Sequence, residues 1–356
     1  MGLPYSSSQA KRHDQIVAID LGGRTTKAVH LHRRGDKFSL LSYAIVDGLA
    51  DDKAPSVNLL TDHFKNVHRS LGNGRCRQVA LGVGVADTLF RQVEVPLMPA
   101  GDLRLMLKYN SKTYLQQDLP DYVFDCCYLP ARPGRPSEGP KPAGQPKHRA
   151  FVGGAKRQTI DDLQAAIKGA GLLPEQVVPG IIGPVNAFEL AEPEIFAKEI
   201  VALVDVGFKN STITILECGE IILNRVVAIG GDRLTAGLVD ALGTSYAEAE
   251  QIKLGMPGEV QQHLETVLHP LGRELRASID FYENQHDKTV AQVFFSGGSA
   301  RGEFVVQALQ AELMVPCKAW SPIKSLHVAL EPQKMGEIDQ VAPQLAVVVG
   351  VATSAL

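Results

Sequence analysis

The chain has 356 residues, 45% hydrophobic and 21% charged, the balance of a soluble globular protein too long for one ordinary core. A formal net charge of -3 leaves no electrostatic footprint for nucleic acid, so that class of partner is set aside. The five cysteines (Cys76, Cys126, Cys127, Cys218 and Cys317) contain no C-x-x-C pair, which argues against a disulfide framework or zinc site and for reduced thiols in a cytosol.

Residues 1–14 form a polar leader that lacks the apolar centre of a signal peptide and reads as disordered. It also fits the short, degenerate myristoylation pattern through Gly2 and Ser6. "IVAIDLGGRTTKAVHL" at 16–31 follows: an apolar run meets Asp20, then turns through Gly22, Gly23, Arg24, Thr25, Thr26 and Lys27 into a second apolar run. "FSLLSYAIV" supplies a further strand, and together these read as β-hairpins. Residues 93–129 read as a strand, an amphipathic helix and, after a Pro-Asp step, another strand. Adjacent Cys126 and Cys127 on that strand face opposite sides, so they are packing residues. Proline, glycine and basic residues at 131–149 predict an extended loop, a tolerated insertion or a docking arm.

"ALVDVGFKNSTITIL" at 202–216 repeats the first turn without a gap. Asp205 falls on Asp20, Gly207 on Gly22 and Ser211 on Thr26, and the strand "IILNRVVAI" follows. Next, "GGDRLTAGLVDALG" predicts a helix that starts behind Gly230 and Gly231, is capped by Asp232 and closes at Gly243. The capping box Ser245–Glu248 opens another helix, on which Glu250 and Lys253 share a face. On spacing alone that pair reads as a surface ion pair. "AQVFFSGGSARGEFVVQALQAEL" reads as a strand, a turn through Gly297, Gly298 and Ser299, and a helix. The apolar tail 345–356 is too short to cross a bilayer.

Glycine turns bring backbone N–H groups close to a ligand and form concave nests for phosphate oxygens. Hydroxyls from Thr25, Thr26, Ser211 and Thr212, with Lys27, would add donors. A carboxylate beside phosphate needs a cation between them. Asp20 and Asp205 therefore make sense as water-mediated partners of one hydrated Mg²⁺. Each turn alone is equally an ordinary hairpin whose aspartate caps it; the duplication favours a clamp.

These pieces, in this order, resemble the phosphate and adenosine motifs of the actin-like ATPases. The resemblance is strongest to the PilM family of type IV pilus assembly, itself similar to the division protein FtsA, and it runs from about Gln15 to the end. It implies an α/β, actin-like fold of two RNase H-like domains with a nucleotide cleft and an inserted small subdomain. The implied division is a leader at 1–14, a first domain at 15–82, the inserted subdomain at 83–178 and a connecting helix region at 179–198. The second domain takes 199–356, its last helix packing back at the junction. By the same resemblance the ligand is ATP with Mg²⁺, and Asp20 and Asp205 hold the magnesium-water shell. Lys27 and the stretch from Gly207 through Asn210 to Thr212 contact phosphates. Glu250 and Lys253 contact ribose and base, and Gly297, Gly298, Ser299 and Arg301 form the adenosine turn. Arg24 departs from the family, which places small residues there; it pairs with phosphate or fills part of the pocket. Gly183, Pro184 and Asn186 occupy the stretch where actin carries its water-orienting glutamine, so slow or undetectable turnover is expected. The implied role is a cytoplasmic adaptor recruited to the inner face of the membrane. There it binds the cytoplasmic N-terminal segment of a PilN-like protein without inserting into the bilayer itself. The alternatives are a small-molecule kinase of the same superfamily and an FtsA-like polymerising protein.

Overall fold

The structure, a computed structural model, describes residues 13–49, 55–72, 76–129, 147–255, 257–300 and 303–356. Strands β1 (Gln15–Leu21), β2 (Thr25–Arg34) and β3 (Lys37–Asp47) form an antiparallel meander. Helix α1 (Val57–Ser70) leads to β4 (Gln78–Val83), which lies parallel to β1. The chain then leaves this sheet. β5 (Thr88–Pro96), β6 (Tyr122–Tyr128) and β7 (Lys147–Lys156) build a separate three-stranded sheet in the order β5-β7-β6, preceded in part by α2 (Ala100–Tyr109) and α3 (Ser111–Leu115). Helix α4 (Arg157–Gly169) packs on α1, and β8 (Leu173–Pro179) pairs in parallel with β4. Residues 157–178, expected in the inserted subdomain, thus run in the layer of the first sheet.

After α5 (Gly183–Ala191) and α6 (Pro193–Lys198) the same plan recurs. β9 (Ile200–Val206), β10 (Ser211–Glu217) and β11 (Glu220–Val227) form a second meander. Helices α7 (Gly231–Leu242), α8 (Tyr246–Gly255) and α9 (Gln261–His286) precede β12 (Gln292–Ser296), parallel to β9; α10 (Glu303–Leu313) precedes β13 (Cys317–Ala319). The order β11-β10-β9-β12-β13 repeats β3-β2-β1-β4-β8. The two-residue strand β14 (His327–Val328) returns to the first sheet beside β3, followed by α11 (Pro332–Met335), α12 (Ile338–Val341) and α13 (Ala346–Ala355).

Both sheets are covered on both faces, so their central strands read as unbroken apolar runs. Period-two alternation sorts those runs. In β1, Val17 and Ile19 join the outer core with α1 and α4, while Ile16 and Ala18 join a core shared by both halves. In β9, Ala202, Val204 and Val206 face the outer core under α9, and Val201 and Leu203 face the shared one. Asp20 and Asp205 have the parity of the shared face. This is what turns both carboxylates inward, toward each other's half.

Helices α5 and α13 cross at the base of that shared core. A Cβ on Gly350 would lie 1.7 Å from the Gly183 carbonyl oxygen, and one on Gly183 would lie 2.5 Å from that of Val347. Phe188 of α5 then reaches across to Phe294 of β12 and to Trp320, with ring centroids 4.7 and 5.2 Å apart in edge-to-face packing. By length and composition alone Ile338–Ala355 could span a membrane; half of that window is buried in the molecule.

Two local expectations are corrected. Asp232 does not cap α7: the cap position is Gly230, and Asp232 in the first turn accepts a hydrogen bond from the Tyr246 hydroxyl. Lys147–Arg149, expected within the loop 131–149, belong to β7, where Arg149 forms an ion pair with Glu220 at the start of β11. Residues 131–146 lie outside the described residues.

The glycine crossing yields a stability prediction. Gly350→Ala forces two backbones apart and should cost about 3 kcal/mol, lowering the melting temperature by several degrees in calorimetry. Gly101→Ala, on α2 where a Cβ meets open space, should be neutral or slightly stabilising, by about 0.5 kcal/mol.

Candidate functional site

A cleft of about 910 Å³ lies between the halves and is lined by Asp20, Gly22, Gly23, Arg24, Thr25 and Lys27 from the first turn. The second turn contributes Asp205, Gly207, Asn210 and Thr212, α8 gives Glu250 and Lys253, and the turn after β12 gives Gly298 and Ser299. These expected residues come together. Thr26 and Ser211, which the repeat superimposes, do not line the cleft. β2 begins at Thr25 and β10 at Ser211, so strand alternation governs both and sends these side chains to the outer face. The Thr26 hydroxyl bonds the His63 ring at 2.7 Å, and burial lowers the pKa of that imidazole. The Ser211 hydroxyl donates to the Ile229 carbonyl at 2.6 Å. The first ties β2 to α1 and the second ties β10 to the residues just after β11; neither faces the cleft. Arg301 lies outside the described residues.

The remaining glycines act through their missing side chains. A Cβ on Gly230 would lie 2.3 Å from the Phe208 carbonyl oxygen, and one on Gly231 would lie 2.2 Å from Ser299 Oγ. Gly297 has φ +96°, and a Cβ there would fall 2.4 Å from the Val206 carbonyl oxygen. Ser299 Oγ donates to the Gly207 carbonyl at 3.1 Å, so the second and third turns and the start of α7 are knit into one wall. On the opposite wall, a Cβ on Gly22 would meet Lys27 Nζ at 2.5 Å. Gly48 N–H, donating to the Arg24 carbonyl at 2.7 Å, holds that turn from beneath.

Lys27 Nζ lies 3.8 Å from Asp20 Oδ2, and its charge also reaches Asp205. Burial nonetheless raises the Asp20 pKa, with Lys27 opposing it. Burial likewise pushes Asp205 up to about 6, against a hydrogen bond from Ser296 Oγ at 2.9 Å and the charge of Lys27, while the negative charge of Asp20 adds to the rise. Two carboxylates are therefore kept where ionisation is unfavourable, beside one ammonium.

Across the cleft, Glu250 is almost fully buried and receives three donors. Thr235 Oγ1 and Lys253 Nζ take Oε2 at 2.5 and 2.7 Å, and Arg24 Nη1 takes Oε1 at 2.8 Å. Burial pushes the Glu250 carboxyl up, but these hydrogen bonds and the charges of Lys253 and Arg24 together hold it below the usual range. Lys253 is anchored further by Thr235 Oγ1 at 2.8 Å and the Gly231 carbonyl at 3.2 Å.

Several cleft residues carried no signal in the linear chain. Ser296, the last residue of β12, acts on the site only through its hydrogen bond to Asp205. Gln344 and Val347 arrive from the C-terminal helices, and Gly84–Asp87 from the end of β4. Asn186 is directed elsewhere: its Nδ2 donates to the Gly350 carbonyl at 3.4 Å.

Residues 18–355 match the model of a family described as type IV pilus assembly protein PilM. The chain is similar to a solved PilM-PilN type IV pilus biogenesis complex, at a TM-score of 0.81 and 19% identity, covering 97% of this chain and 99% of that one. It is also similar to ethanolamine utilization protein EutJ from Carboxydothermus hydrogenoformans, at a TM-score of 0.53 and 15% identity over 99% of this chain and 92% of that one. MreB5 of Spiroplasma citri bound to ADP matches at 0.51 and 10% identity, over 95% of each chain. The fold is the α/β, actin-like one. This chain belongs to the family of type IV pilus assembly protein PilM.

Proposed function

We propose that the cleft binds ATP with Mg²⁺ and that the chain serves as a cytoplasmic adaptor of a type IV pilus or related secretion machine. The observation that carries the nucleotide reading is the placement of Asp20 and Asp205, from opposite halves, on one cleft with Lys27 beside them. The residues fit the ligand. Oxygen donors suit magnesium, and among the described residues no three metal-ligating side chains converge. The cation would thus keep its waters and take phosphate oxygens, as Mg²⁺ prefers. Asp20 and Asp205 would hold those waters, and Lys27 with the backbone of Gly22–Thr25 and Gly207–Thr212 would bind phosphate. Glu250 and Lys253 would meet the ribose and base, and Gly298 and Ser299 the adenosine. Magnesium would supply charge neutralisation of the triphosphate. MreB5, of similar fold, has been solved with ADP.

Turnover would be slow. The connecting stretch spends Asn186 on α13 rather than presenting it to the cleft, and water attack needs a base within hydrogen-bond reach. For the partner, we take the PilN named with the solved PilM complex as the guide. A PilN-like N-terminal segment would dock beside the β5-β7-β6 sheet and bring the chain to the membrane. Nucleotide would tune that docking only by binding one cleft closure better than another.

Asp20→Ala or Asp205→Ala should weaken Mg-ATP binding at least tenfold with the circular dichroism unchanged, titrated with a fluorescent ATP analogue. Wild-type affinity in both variants would remove the assignment. A second prediction concerns stability of the ligand-free protein. The native Asp205 carboxyl titrates near 6 and the unfolded one near 4, so the native state holds the extra proton between those values. Stability should therefore fall as pH rises from about 4 to 6 and not fall further on this account above it. Asp205→Asn should make that fall shallower, leaving the share of Asp20, and be more stable at pH 7 by on the order of 1–2 kcal/mol, read by thermal melts. Calorimetry with a synthetic PilN-like N-terminal peptide, with and without Mg-ATP, should detect binding; silence in both conditions would refute the adaptor role.

A further inference from the structure

Arg24 does not reach toward the carboxylates or Lys27. It leaves the first turn, crosses the cleft and ends on the other half, with Nη1 2.8 Å from Glu250 Oε1 and its guanidinium 5.7 Å from the centre of the Phe208 ring. Behind it, the Gly23 backbone nearly touches the second turn: a Cβ there would lie 3.5 Å from Phe208 Cδ1 and 3.6 Å from Lys209 Cγ. The arginine side chain is 43% exposed and that of Glu250 only 8%. Glu250 is also the better anchored of the two, since Thr235 and Lys253 fix its Oε2 from the same half. The carboxylate is thus held in place through Oε2, and its other oxygen, Oε1, faces Arg24.

We propose that Arg24 is a latch: it fastens the lips of the cleft by pairing with Glu250 Oε1, and a nucleotide enters by displacing it. The inference rests on the Mg-ATP reading for the identity of the displacing ligand. A buried carboxylate oxygen does not give up its donor without a replacement, because the unpaired oxygen would keep its desolvation cost. A ribose hydroxyl is such a replacement. The released guanidinium, mobile and exposed, then meets the phosphates, for which its planar fork is well matched. The ligand that opens the latch must therefore carry both a hydroxylated sugar and an anionic tail. A nucleoside polyphosphate does so; tripolyphosphate lacks the hydroxyl that replaces Arg24 on Glu250, and adenosine lacks the charge that rewards its release. Because the arginine end is solvated, the latch is a modest barrier that sets affinity and entry rate rather than an absolute block.

The test uses the full chain as wild type, Arg24→Ser and Arg24→Gln, the second keeping the aliphatic stem while removing the charge and the reach to Glu250, should the first misfold. In nucleotide-free protein, hydrogen exchange of the amides at 207–210 and 230–232 should rise about two- to fivefold in both variants. Calorimetry should show adenosine binding about three- to tenfold more tightly to the variants, and tripolyphosphate binding equally or more weakly. The gain for Mg-ATP should lie between these, with a faster association rate in stopped flow. Unchanged exchange overturns the latch. So does a loss of adenosine affinity, which would make Arg24 part of the nucleotide pocket rather than its competitor. If wild type and variants alike bind no nucleotide, the Mg-ATP reading falls, and the exchange comparison alone then decides whether Arg24 holds the lips.

Discussion

The cleft depends on one ammonium between two acids. Asp20 and Asp205 enter one cleft from different sheets, and two negative charges facing a shared space would push the halves apart. Lys27 relieves this from within the first hairpin, where it sits directly opposite Asp20 in the β1–β2 register. The relief is partial, since burial still leaves both carboxyl groups above their ordinary pKa. That residual cost matters more than the relief. Two inward carboxylates cost the ligand-free fold stability at this place, and the proposed magnesium and phosphate would offset that cost together.

How the chain arrives there was largely legible. The repeat of Asp-x-Gly turns located both hairpins, and the recurrence of the whole five-strand plan explains why one short motif recurs at half-chain distance. Thr26 and Ser211 mark where the reading stopped. Treated as members of a turn, all the small polar residues look like donors for a ligand. Treated as the first residues of strands, they alternate, and half of them must face the other way. Linear sequence does not tell which residue ends the turn; the pairing of Leu21 with Thr26 and of Val206 with Ser211 does.

Other parts of the site have no local signature at all. Val347 lines the cleft because α13 is pressed against α5 at a glycine contact, and Gln344 lines it from the turn just before α13; nothing within either helix announces the other. The same crossing brings β14 and the C-terminal helices back to the first sheet, so the chain passes between the halves more often than a simple two-part division predicts. Glu250 illustrates a different gap. Its i,i+3 spacing to Lys253 describes a surface pair equally well, and only the packing of α8 against α7 buries it beside Thr235.

Arg24 is where local expectation and structure part most usefully. A phosphate turn favours small residues, and an arginine there breaks the pattern without an evident gain inside its own hairpin. The gain lies across the cleft, in the oxygen of Glu250 that Thr235 and Lys253 leave open. On the proposed reading, cleft closure would have two drivers of opposite origin: a pair of carboxylates that resist approach until a cation arrives, and a cationic side chain that already supplies attraction. Which lips meet, and how tightly, is set by their difference. A ligand carrying its own cation and its own anion changes both terms at once, quenching the repulsion at Asp20 and Asp205 while claiming the partner of Arg24. If both proposals hold, binding at one end of the cleft would be coupled to release at the other through the ligand itself, with no relay through the protein core required.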